Sequence, residues 1–158
     1  MKVRKMFGLA RGKLGDTNPP YRNTDQDLIN GLDECIDYLW IFRKDLFLDD
    51  NMKVSNDYEE AEAREPSHNY SVGDMIYVND PLELYYCTIA GTSDADTPYV
   101  GEFVTDGTAM FSRFTFNESI NLLFVSHYIA YHCLMLDADE QANEQLAQTH
   151  YNTFLGGI

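Results

Sequence analysis

The stretch TFNESINLLFVSHYIAYHCLMLDADEQANEQLAQTHYNTFL, Thr115 to Leu155, decides the fold. Ile120, Leu123, Phe124, Tyr131, Leu134 and Met135 fall at helical spacings and form a stripe that needs a partner surface. Thr115 to Glu118 matches the capping box T-x-x-E that opens a helix, and Asp137, Asp139 and Glu140 mark a joint to a second one. That second helix carries a thinner stripe, Ala142, Leu146, Thr149, His150, Thr153 and Phe154, and runs out at Gly156-Gly157.

The partner for these helices is expected at the front of the chain. Val3, Met6, Phe7, Ala10 and Leu14 describe an amphipathic helix with basic residues on its other faces. Gly15-Asp16 ends it, and Asn18-Pro19-Pro20 forbids an early restart. Thr24, with Asp27 three residues on, caps a second helix whose face is Leu28, Leu32, Cys35, Ile36, Leu39 and Phe42, running to about Lys44. Gly31 inside that helix implies a backbone passing close by.

Between the helical ends the period changes. Residues 49–67 are acid-rich without an apolar repeat, and are read as an exposed connector with a helical turn around Tyr58 to Arg64. Beyond Pro66 the period is two. Met75–Val78 and Leu82–Ile89 are predicted strands about an Asn79-Asp80-Pro81 turn, followed by Tyr99–Val104, the Asp106-Gly107 turn and Ala109–Phe114. The expected fold is therefore α+β: a bundle of about four helices from residues 1–48 and 113–158, a connector at 49–67, and a small antiparallel β insertion at 68–112. At 158 residues no second large domain fits.

Charge is segregated. Residues 1–22 hold six basic groups against Asp16 alone, +5, whereas the other 136 residues carry 5 basic and 25 acidic groups, −20. An acidic body repels polyanions, so a protein that grips nucleic-acid phosphates is not expected. The 11 tyrosines suit surfaces that are buried on association. No window approaches the ~18 apolar residues of a membrane span, and no apolar leader precedes the first helix.

Chemistry is sparse. Cys35, Cys87 and Cys133 are an odd set without a CxxC pair, so buried reduced thiols are expected. His127 and His132 lie five apart, about 140° around a helix, which is the wrong spacing for a shared metal ion. No nucleophile elbow, HExxH or phosphate loop is present, and no catalytic, cofactor or metal residue is assigned. Tyr77, Tyr85, Tyr86, Tyr99 and Phe103 permit two readings: the core of a small sheet, or a platform on which sugars stack.

Two stretches resemble phage proteins. LARGKLGDTNPPYRNTDQDLINGLDECIDYLWIFRKDLFL (Leu9 to Leu48) and the closing helix pair, with Asp139-Glu140 at its joint and a Tyr151-x-x-x-Leu155 ending, resemble the head-to-tail adaptor or connector family of tailed phages. The exit Arg43-Lys44-Asp45-Leu46-Phe47 has Lys44 where the commoner form has Pro. Val72-Gly73-Asp74, Tyr85-Tyr86-Cys87-Thr88, Ala90-Gly91-Thr92-Ser93, Pro98-Tyr99 and Val104 to Thr108 resemble a small β module of phage tail and neck proteins, with Tyr99 and Phe111 standing where Trp is usual.

The resemblance implies a virion neck protein, made in the host cytoplasm. It would form a homo-oligomeric ring, commonly a dodecamer, that docks beneath the portal protein, carries the next tail or nozzle protein, and lets double-stranded DNA pass without specific binding. The C-terminal segment would reach the portal, with Tyr151, Phe154, Leu155 and Ile158 as portal-binding residues. The basic face of the first helix, Lys2, Arg4, Lys5, Arg11 and Lys13, would serve as an assembly contact. The alternative function is a virion-associated binding module that uses the β insertion on glycans or decoration proteins.

Overall fold

The computed structural model describes residues 3–48, 52, 61–79, 82–114, 120–136 and 141–158. Lys2, the Thr115 to Glu118 box, the Asp137–Glu140 joint, the Asp80-Pro81 part of the expected turn and most of the 49–60 connector lie outside the described residues. The fold is α+β. Among the described residues four α-helices, α1 (Val3–Leu14), α2 (Asp25–Phe42), α3 (Leu122–Leu136) and α4 (Gln141–Leu155), accompany a five-stranded sheet and a two-stranded one.

Both front helices form where expected, although Phe42, read as part of the α2 core face, is exposed. Gly15, at φ +65°, terminates α1. At α2 the Thr24 hydroxyl accepts from the Asp27 backbone N–H while the Asp27 carboxylate accepts from the Thr24 backbone N–H, the reciprocal box expected there. The helix ends at Phe42, and Lys44–Phe47 turn as a 3₁₀ helix that buries Phe47 beneath Trp40. Gly31 does have a tight neighbour, but it is the side chain of His132 on α3, 3.2 Å from where a Cβ would stand, and not a backbone.

α3 is the centre of the helical half: α1, α2 and α4 all pack on it. Its buried residues, Val125, Ser126, Tyr128, Ile129, Ala130, Cys133 and Leu134, cover most of its circumference. Here the stripe read from the sequence is corrected, because Leu123 and Met135 are exposed. A helix covered on several sides carries apolar residues nearly all round, so periodicity cannot choose its face. On α4 the buried positions are Ala147, His150 and Phe154, while Leu146, Thr149 and Thr153 face outward.

The larger sheet has the strand order β1-β3-β4-β7-β6, from β1 (Glu62–Ala63), β3 (Met75–Val78), β4 (Glu83–Ile89), β7 (Ala109–Arg113) and β6 (Phe103–Asp106). β2 (Asn69–Tyr70) and β5 (Gly91–Thr92) pair separately. The sheet is mixed rather than antiparallel, because β1 runs parallel to β3, with Glu62 opposite Ile76. So the Tyr58–Arg64 stretch read as a helical turn instead supplies an edge strand at Glu62–Ala63. Its anchor is Arg64, whose guanidinium makes two bonds to the wholly buried Asp106, at 3.0 and 3.1 Å.

Tyr99 also departs from expectation: it precedes β6 in irregular chain, buried, with its hydroxyl donating to Asp106 at 2.9 Å. Burial pushes the Asp106 carboxyl up, but its bonds from Arg64, Asp94 and Tyr99 outweigh that and hold it below the ordinary carboxylate range. The β6–β7 turn needs Gly107, which sits at φ +63°.

β4 joins the two halves. Leu84 and Tyr86 enter the helical core with Met6, Leu28, Leu32 and Phe154, while Tyr85 and Cys87 point the other way into a second cluster with Tyr70, Tyr99 and Phe111. The Tyr86 hydroxyl donates to Asp33 of α2 at 2.9 Å. Gly73, just before β3, lies so close to α1 that a Cβ would stand 2.9 Å from the Arg4 backbone. Sheet and helices thus share apolar surface instead of meeting through a linker. Phe154→Ala, at a wholly buried position, is expected to cost about 3–5 kcal/mol. Leu155→Ala, at its half-exposed neighbour, should change stability by about 0.5 kcal/mol or less. Urea unfolding of the two variants checks both.

Candidate functional site

Three surfaces are candidates for a functional site: the α1 edge, the C-terminal segment, and a groove between α2 and the β6–β7 side of the sheet. On α1 the expected basic face divides. Arg4 and Lys5 are exposed and, among the described residues, have no ion-pair partner. Arg11 is instead buried: it donates to Asp16 at 3.1 Å, to the Asn23 carbonyl at 2.9 Å and to Asp25 at 2.7 Å, and lies over the Tyr21 ring. Its chemistry is to fasten the α1–α2 loop. Asp16 also accepts from the backbone N–H groups of Arg22 and Asn23, and these bonds outweigh burial and keep its carboxyl below the ordinary range.

Lys13 is half-buried, and burial lowers its pKa. It stands near a pair the sequence did not reveal, His127 of α3 and His150 of α4, whose Nδ1 atoms are 2.8 Å apart. One ring must donate and the other accept, so the contact excludes a pair in which both rings are charged. Burial first, then Lys13 and His150, push His127 down to about 4. Burial and then Lys13 lower His150, whose Nε2 is buried and has no hydrogen-bond partner among the described residues.

Among the described residues no group of three or more His, Cys, Asp or Glu could hold a metal ion. The three thiols are buried and free of disulfides, and burial raises all of them, Cys87 and Cys133 to about 12. None is poised as a nucleophile.

The C-terminal segment is folded onto its own helices. Phe154 is wholly buried between Tyr38 and Tyr128, with ring centroids 5.6 and 4.9 Å away. Tyr151 is half-buried against Tyr131, and Ile158 turns back onto the core beyond Gly157, where a Cβ would run into the Phe124 ring. Of the four expected portal-binding residues, Leu155 is the one that is exposed. Phe154 is a core residue because its ring completes the aromatic cluster beneath α3.

The groove, of about 510 Å³, is the surface that sequence reading missed. α2 contributes Asp33, Ile36, Asp37 and Trp40, and the sheet contributes Glu102, Phe103, Ser112, Arg113 and Phe114. The α2 spacing i, i+3, i+4, i+7 was visible, but it needed the sheet opposite to become a wall. Asp37 and Glu102 are exposed, and Arg113 is held by Glu83 in a salt bridge. Burial raises the Asp33 carboxyl, against the bond from Tyr86. Phe103 is 70% exposed. By contrast Tyr85, Tyr86 and Tyr99 are buried, so the five-ring sugar platform is not assembled on the surface.

No family model, curated protein or solved structure matches the chain. Among the described residues no helix is long and apolar enough to cross a membrane.

The histidine pair has a measurable consequence. A folded-state pKa below the ordinary His value means the fold prefers neutral rings. This contribution is complete above about pH 6.5 and is lost as pH falls toward 4, because the unfolded chain takes up the protons first. The urea midpoint should therefore fall between those pH values. It should fall less steeply in His127→Gln, which keeps a donor to His150 but does not titrate.

Proposed function

We propose that this chain is a structural ring protein of a tailed-phage neck, joining the portal to the tail. The observation that carries the reading is the meeting of the two chain ends: α1 and α2 from the front and α4 from the back all pack on α3. This is the arrangement that the resemblance of Leu9 to Leu48 and of the closing helix pair implies. In this reading the four helices are the ring body, and residues 68–112 are a β graft carried on it.

The electrostatics fit such a role. A −20 segment repeated around a ring makes a wall to which DNA does not adhere, provided the acids face the lumen. The exposed cations of α1, Arg4 and Lys5, supply each copy with a counter-charge for a neighbour. Arg11 is spent inside the fold and is not part of that contact.

The portal would be met by the exposed Leu155, with Tyr151 and Ile158 at the margin of the same face. DNA would traverse the ring without base or phosphate readout, and the next tail or nozzle protein would dock on the opposite side. A dodecamer is the copy number this reading favours.

The test is to mix the purified chain with the portal protein of the same phage genome and image the product by electron microscopy. The expected product is an additional ring stacked on each portal, in matching copy number. Portals that remain bare at micromolar chain concentrations would overturn the proposal.

A further inference from the structure

We propose that the groove between α2 and β6–β7 receives the basic α1 edge of a second copy of this chain. This deepens the ring reading, on which it rests, by naming both sides of the contact between neighbours. The groove presents Asp37 and Glu102 to solvent, and the cation in its lining, Arg113, is already held by Glu83, with Lys44 over the Trp40 ring at its margin. Its aromatic walls suit a cation as well: Lys44 stands over the Trp40 ring, 4.7 Å from the centroid, while Phe103 has no such partner among the described residues. The complementary feature is Arg4 and Lys5, exposed and without ion-pair partners among the described residues.

The α1 edge carries a second mark. Gly8 and Gly12, one turn apart and exposed on this helix, have nothing within 4 Å of where a Cβ would stand. A glycine inside a helix weakens it, and nothing in the fold requires these two. They leave a smooth strip, beginning one turn beyond Arg4, on which another chain can lie close.

Among the described residues no ion pair joins Arg4 or Lys5 to Asp37 or Glu102 of the same chain. Arg4 is bonded through its backbone N–H to Gly73, just before β3, at 3.3 Å. β6, which borders the groove, lies beyond β4 and β7 in the strand order, roughly 14 Å across the sheet at ordinary strand spacing. Arg4 and the β6 wall of the groove are therefore separated by the width of three strand spacings. Pairing them between copies is head-to-tail, the geometry that builds a ring where the rotation between neighbours closes and an open filament where it does not.

The test uses two cysteine copies, Gly8→Cys and Ile41→Cys. Ile41 is exposed one turn beyond Asp37, and the three native thiols are buried. The copies are mixed, with and without portal rings, and joined by a short bismaleimide. Cross-linking is expected to fall at least tenfold when Arg4→Glu and Lys5→Glu are placed in one copy, or Asp37→Arg and Glu102→Arg in the other, and to recover when both sets are combined. In otherwise native protein, Gly8→Gln is expected to lower ring occupancy without lowering the melting midpoint, which separates a blocked contact from a damaged fold.

If rings form on portals and cross-linking ignores both reversals, the groove contact is wrong and the ring reading stands. If cross-linking follows the charge swap but portals stay bare, the contact stands and the ring reading is wrong. No cross-link under either condition overturns the contact.

Discussion

The structure depends on α3 being covered. Its central residues, Val125, Tyr128, Ile129 and Cys133, are buried together with residues drawn from both ends of the chain and from the sheet. A helix this apolar is not stable against water on any broad face, so the rest of the chain must close over it. α1 and α2 do so from the front, and α4 returns to close another side. The aromatic cluster of Tyr38, Tyr128, Tyr151 and Phe154 is where front and back meet. Burial of Phe154 therefore ties the C-terminal helix to the N-terminal half, and the last residues are held where they would otherwise fray.

Two buried charge networks do a different job. Arg11 with Asp16 and Asp25, and Arg64 with Asp106, each place a guanidinium where several acceptors converge. Such pairs add little net stability against an apolar alternative, but each is costly to leave half-made, so they select one loop arrangement over others. The first sets the path between α1 and α2. The second gathers the end of β1, the Asp94-Ala95 segment and β6 around the Arg64–Asp106 pair, which is why so short an edge strand persists. These demands explain why Arg11 and Arg64 are held within the fold, whereas Arg4 and Lys5 are exposed and have no ion-pair partner among the described residues.

β4 links this helical half to the sheet by using both of its faces. Alternation along Leu84, Tyr85, Tyr86 and Cys87 sends successive side chains into different cores. The Tyr86 hydroxyl, bonded to Asp33, reaches past the core to the floor of the groove. The same contact that seats the sheet on α2 therefore shapes the acidic and aromatic hollow between them.

Local patterns alone determined the α+β class, both front helices, the Thr24 box, the Asp106-Gly107 turn and the existence of β3, β4 and β7. Each rests on contacts within a few residues, which period and capping chemistry encode directly. Tertiary structure decided the rest. Which face of α3 and α4 is buried depended on how many neighbours surround them, and β1, β2 and β5 are two residues long and carry no period to read. The fate of each cation was likewise beyond local reading: Arg4, Arg11 and Lys13 look alike on one basic helix, and only the positions of Asp16, Asp25 and the histidine pair separate them. The groove has the same origin, since its two walls are some 70 residues apart in sequence. Proximity of that kind is a property of packing, not of the local chain.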